Sequence, residues 1–232
     1  MPTATRSWPT TPAAIHAAPS TARRRSSSST FTATTPRLIE TLGGEPANVF
    51  GSSGGAQIGL NLAAQHSGRV RTLVAHEPPC VRLLPDPSEA LSNNQAVYDT
   101  YRHEGVGPAM QRFMAMAGMG GGSRDAASPS DLPLEAGETF ARIGKNMDYF
   151  LAHGLMPISL FVPDVDALRA GPTRVVVGVG ETSGGQLAHR TAVALAGRLG
   201  TQPVTFPGDH GGYGSHPGAF AESLHRVFSG SA

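Results

Sequence analysis

From residue 37 onward, the chain alternates between short apolar runs and longer stretches with apolar residues at helical spacing. Four runs predict buried strands: Ala47–Phe50, Val70–Ala75 (VRTLVA), Thr173–Val179 (TRVVVGV) and Pro203–Phe206. The stretch Ala56–His66 predicts a helix with Ile58, Leu60, Leu62 and Ala63 facing inward. Further helices are predicted over Asp86–Tyr101, Gly107–Ala117, Glu135–Phe150, Pro163–Ala170, Gln186–Leu199 and Pro217–Phe228. Gly200 closes the Gln186–Leu199 helix, and Gly43-Gly44 closes a helical turn over 37–42. Residues 118–133 (GMGGGSRDAASPSDLP) read as a loop. Strands that alternate with helices imply α/β architecture, with a mostly parallel sheet flanked by helices. The helical stretch between the second and third strands, about 82–172, reads as a cap inserted over the sheet's end.

Composition narrows this picture. A chain of 232 residues suits one sizeable α/β domain. Its net charge of +1 gives no reason to expect nucleic acid or a charged membrane as partner. No apolar run reaches the length of a bilayer span. A cytoplasmic chain acting on a small molecule is expected. The single cysteine, Cys80, excludes an internal disulfide and reads as a small buried hydrophobe.

The first 36 residues differ from the rest. They contain no Asp or Glu and include Arg23-Arg24-Arg25 followed by a serine run. They read as a disordered tail, a transit peptide or a mistranslated segment. Permitted codons for residues 2–35, read one base earlier, yield a strand-like TVVAYD, a turn and an acidic segment that joins Pro36. The domain reading is therefore a disordered or mistranslated segment over 1–36 and a catalytic core over 37–232. The DNA upstream of codon 37 would show which frame is open.

The candidate chemistry begins at Val49-Phe50-Gly51-Ser52-Ser53-Gly54-Gly55-Ala56. Gly51, Ser53 and Gly55 fit G-x-S-x-G, the pattern of a serine held on a strained strand-to-helix turn. The strand before it and the helix after it supply the context this pattern needs. Ser52 reads as a turn residue whose side chain faces away. A second candidate is His210, in Pro207-Gly208-Asp209-His210-Gly211-Gly212 after the last strand, with the glycines leaving room for its ring. Asp209 reads as a loop brace. The remaining histidines, His76 and His189 among them, read as surface or structural. The Met110–Met119 cluster reads as cap core or as the lining of an apolar pocket. GVGETSGG at 178–185 lacks nucleotide-loop spacing, and no metal-ligand spacing is present.

With the elbow at 51–55, PGDHGGY at 207–213 and this order of elements, the chain over 37–232 resembles the α/β-hydrolase family. The resemblance implies a serine hydrolase with Ser53 as nucleophile, His210 as base and no cofactor. It implies the backbone N–H of Gly54 as one oxyanion donor. The triad acid follows either of two strands in the family. The later position carries Ser183 where an aspartate would align, with Glu181 nearby but displaced. The earlier position carries Glu77, in His76-Glu77-Pro78-Pro79, as in haloalkane-dehalogenase-like members. Glu77 is the preferred acid and Glu181 the alternative.

The resemblance also implies strands ahead of the elbow and a second oxyanion loop, neither of which is readable here. The expectation is an N-terminally truncated hydrolase with an exposed apolar edge at Val49-Phe50, poor stability and weak activity. A carboxylic ester or related acyl compound is the expected substrate class. The alternatives are a defunct fragment, a non-catalytic binding protein, and a cofactor-free perhydrolase or C–C hydrolase. The sequence leaves the substrate and oligomeric state open.

Overall fold

The structure is a computed structural model that describes residues 36–41, 43–117 and 144–230. All but Pro36 of the segment expected over 1–36, the loop at 118–133 and the start of the Glu135–Phe150 helix lie outside the described residues. Four strands form one sheet in the order β1 (Ala47–Ser52), β2 (Val70–His76), β3 (Arg174–Gly180) and β4 (Val204–Phe206), all parallel. Each was legible in the sequence, with ends displaced by one or two residues. Neighbouring strands run parallel because a helical connection returns the chain to the same end each time.

Side chains alternate between the two faces of the sheet. Leu73, Ala75, Val177 and Val179 join one core with Leu60, Leu62, Ala63, Leu195 and Ala196. These come from α1 (Gly54–Gln65) and α6 (Leu187–Leu199). Val74, Val176 and Phe206 face the other way, onto Phe220 and Val227 of α8 (Pro217–Ser229). The core therefore rests on small aliphatic residues on one face and an aromatic group on the other. Gly200 and Gly230 close α6 and α8 in the left-handed conformation, and a one-turn helix, α7 (Gly212–Ser215), precedes Pro217 at the start of α8.

The cap contains α2 (Ser88–Glu104), α3 (Val106–Met116) and α4 (Leu155–Leu160), packed around Val97, Ala109, Leu151 and Leu155. Met110 and Met116 pack against this cluster, as expected of cap core, while Met114 is exposed. The sequence reading ended a helix at Phe150, whereas a π-helical turn over Phe150–Gly154 carries the chain on into α4. Pro157 supplies the reason. It offers no N–H to the carbonyl four residues back and crowds it, so the ladder widens just before it, with Leu155 N–H bonding to Phe150 O. A short helix, α5 (Val165–Ala170), follows, with Asp164 accepting from Ala167 N–H at 3.0 Å.

One side chain ties the cap to the sheet domain. Gln57, buried in α1, donates from Nε2 to Pro79 O at 2.9 Å and to Ile158 O at 3.1 Å. Among the described residues β1 is an edge strand, with Val49 and Phe50 half-buried. Edge strands of this kind offer unpaired backbone groups to other chains.

Candidate active site

The carboxyl ends of the strands carry all the candidate residues, which is where ligands bind in open α/β sheets. Ser53 follows β1, Glu77 follows β2, Ser183 follows β3, and His210 follows β4. Register places Ser52 beside His76 and His76 beside Gly178, so neighbouring strands end level.

Ser53 sits between β1 and α1 with φ 55° and ψ −127°, a conformation disfavoured for any residue with a Cβ. Its N–H donates to His76 O at 2.9 Å, and its own carbonyl accepts from Ala56 N–H at 2.9 Å. Close approach explains Gly51: a Cβ there would lie 2.5 Å from Gly55 O. Gly55 itself has open space where a Cβ would stand, whereas a Cβ on Gly54 would lie 3.0 Å from Ile158 Cδ1. The backbone N–H of Gly54 opens α1 immediately after Ser53.

Glu77 is fully buried and, like Ser53, adopts positive φ (46°) without being glycine. Its N–H donates to Gly178 O at 2.9 Å, which holds the turn against β3. Oε2 lies 2.7 Å from His210 Nδ1. Oε1 accepts from Gly180 N–H at 2.9 Å and from the Ser183 hydroxyl. Burial pushes this carboxyl upward, but the bonds from His210, Ser183 and Gly180 outweigh it and bring the pKa down to about 2. The group is an anion with both oxygens occupied.

The structure thus brings Glu77 and His210 together, while Glu181 is exposed with its N–H bonded to Phe206 O at 2.9 Å. Ser183, where the family resemblance would align an aspartate, donates its hydroxyl to Glu77. His189 Nδ1 lies 3.2 Å from Ser183 Oγ and 3.8 Å from Glu77 Oε1, so this histidine borders the same carboxylate.

The loop carrying His210 is braced as expected by Asp209, whose Oδ1 accepts from Gly211 N–H at 2.8 Å. Gly212 has a different reason from the one read in the sequence: a Cβ there would lie 2.0 Å from Pro207 O. It lets the loop fold back on itself rather than making room for the ring. Ser53 Oγ makes no hydrogen bond to His210 in this structure. Nucleophile–base bonds are often long without substrate and tighten when it binds.

Sequence reasoning set Ser52 and His76 aside, yet both adjoin the site. Ser52 Oγ shares a hydrogen bond with His76 Nδ1 at 3.1 Å, so it does not face away. Burial, the largest influence, holds the His76 pKa down at about 4; Glu77 and Asp209 raise it and His210 lowers it. A histidine directly after the apolar run Leu73–Ala75 was the available signal. Cys80 is buried in the core, and burial pushes its thiol up to about 12, as suits a structural residue.

The His76 shift predicts a pH dependence of stability. The unfolded chain takes up this proton near pH 6.5 and the folded chain only near pH 4. Unfolding therefore binds a proton in that window, and stability falls as pH falls, by up to ~3 kcal/mol. The Glu77 contribution is present above about pH 4.5 and is lost as pH drops toward 2. Thermal melts from pH 7 to 4 should show the first decline, and His76→Phe should flatten it. An unchanged slope in that variant would remove His76 as the cause.

Among the described residues, no cluster of three metal-binding side chains is present, and no helix is long and apolar enough to cross a membrane. A family model described as the alpha/beta hydrolase fold matches residues 20–152. The uncharacterized hydrolase YraK of Bacillus subtilis (strain 168) is 31% identical over 195 residues, 82% of this chain. The chain spans 66% of the length of that relative. A solved carboxylesterase structure from Nitrososphaera gargenis superposes with a TM-score of 0.60 at 18% identity, over 88% of this chain and 72% of that one. MenH from S. aureus superposes at 0.57 with 12% identity, over 87% and 74%. At these identities the solved structures speak for the fold alone.

Proposed function

The chain belongs to the α/β-hydrolase fold family, and we propose that it is a serine hydrolase acting on a carboxylic ester or related acyl compound. The observation that carries this reading is the pairing of His210 with a buried carboxylate at the same carboxyl end of the sheet as a strained Ser53. In the proposed mechanism His210 Nδ1–H donates to Glu77, which leaves Nε2 free to take the Ser53 proton. The Ser53 oxygen attacks the acyl carbon, and the oxyanion collects on the backbone N–H of Gly54. His210 returns its proton to the leaving alcohol, then activates a water that releases the acid and regenerates Ser53. The Glu77 anion keeps the imidazole in the required tautomer and stabilises the imidazolium that forms. None of these steps calls for a cofactor.

A fluorophosphonate probe tests the reading directly, because only an activated serine reacts with it. The expected result is one covalent adduct, mapped to the peptide containing Ser53, together with turnover of p-nitrophenyl acetate. A chain that melts cooperatively but takes no label would favour the non-catalytic alternative.

A further inference from the structure

His76 adjoins both the turn that carries Ser53 and the imidazole of His210. It ends β2, is fully buried and precedes Glu77 in the chain. Its carbonyl accepts the Ser53 N–H at 2.9 Å, and its Nδ1 is bonded to Ser52 Oγ at 3.1 Å. Its ring centroid lies 6.2 Å from that of His210, with the planes 27° apart. Phe206 and Phe220 meet the ring edge-on at 5.7 and 5.4 Å, and Phe50 lies at 6.3 Å.

Such a box suits a hydrocarbon. Phenylalanine would fill it without the liability that histidine brings, since His76 Nε2 is buried with no hydrogen-bond partner among the described residues. A buried polar atom without a partner opposes folding. What phenylalanine lacks is the ring nitrogen that holds Ser52.

We propose that His76 is a positioning residue: through Ser52 it fixes the turn that carries Ser53, and its ring backs the imidazole of His210. This role rests on the hydrolase reading above. The charged or titratable groups acting on His76 are Glu77, from the turn after β2, and His210 and Asp209, from the loop after β4. β1, β3 and α8 meet it with uncharged Ser52, Phe50, Gly178 and Phe220. The imidazole therefore works as a neutral strut.

The role separates stability from turnover. His76→Phe should hold or raise the melting temperature at neutral pH, yet lower kcat for p-nitrophenyl acetate on the order of 10- to 100-fold with KM little changed. Ser52→Ala, which cuts the same bond from the other side, should lower kcat similarly. His76→Asn can present an amide where Nδ1 stood and should recover part of the loss. Fluorophosphonate labelling rates should follow the kcat order.

Unchanged kcat in both His76→Phe and Ser52→Ala would overturn the role. So would a kcat loss in His76→Phe that tracks a lower melting temperature while Ser52→Ala is fully active. Absence of Ser53-dependent labelling in the native chain would remove the hydrolase reading, and this role with it. Labelling that neither variant slows would remove this role alone.

Discussion

Ser53→Ala should reduce ester turnover on the order of 10⁵-fold or more, to the background rate, while Ser53→Gly, equally inactive, should melt at a higher temperature. The first effect follows from the proposed role of the Ser53 hydroxyl as nucleophile. The second follows from the backbone. Ser53 is held at φ 55° and ψ −127°, where any Cβ is crowded. That conformation costs about 1–3 kcal/mol for a residue with a side chain and almost nothing for glycine. Glycine gives back ~0.5–1 kcal/mol through its freer unfolded chain. The balance favours Ser53→Gly over Ser53→Ala by about 1 kcal/mol. Paired melts of the two variants, with p-nitrophenyl acetate as the activity readout, test both halves. Turnover that survives in Ser53→Ala would sink the nucleophile assignment. A lower melt for Ser53→Gly than for Ser53→Ala would show that the turn stores no strain.

Glu77→Gln should lower kcat/KM about 10⁴-fold, and Glu181→Gln should leave it unchanged. Glu77 Oε1 already accepts two donors, from Gly180 N–H and Ser183. A glutamine must keep its carbonyl on that side, which turns its amide NH₂ toward His210 Nδ1. The imidazole then carries its proton on Nε2, the wrong nitrogen to take a proton from Ser53. The lesion is one of tautomer rather than of shape. Glu181 makes no comparable demand, because its side chain is exposed and only its backbone is engaged. Steady-state kinetics on the two variants decide the matter: full activity in Glu77→Gln would show that another group orients the base.

Periodicity located the four strands to within a residue or two because each carries a short apolar run, which β2 and β3 bury between helix layers while β1 and β4 are only partly covered. It missed α4, whose Met156-Pro157 reads locally as a stop. In the fold, Leu151 and Leu155 are buried in the cap core, which carries the helix past the proline through a π-turn. The elbow turn and the histidine loop were legible because each carries the glycines that a tight turn requires. The partner of His210 has no such signature. Glu77 and Glu181 each follow a strand, and only the return of the β4 loop over the sheet shows that Glu77 meets His210.

By itself, then, the sequence determined the α/β alternation, the elbow at Gly51–Gly55 and the histidine loop, since all three depend on neighbours in the chain. Tertiary structure decided what depends on residues far apart. It joined Glu77 to His210 across 133 positions and turned Ser183 into a donor to the carboxylate across 106. It also buried His76 among Phe50, Phe206 and Phe220, with Ser52 on its ring nitrogen. The physical reason is that turn geometry is written in a few adjacent residues, whereas a buried charge or a buried imidazole is defined by what surrounds it.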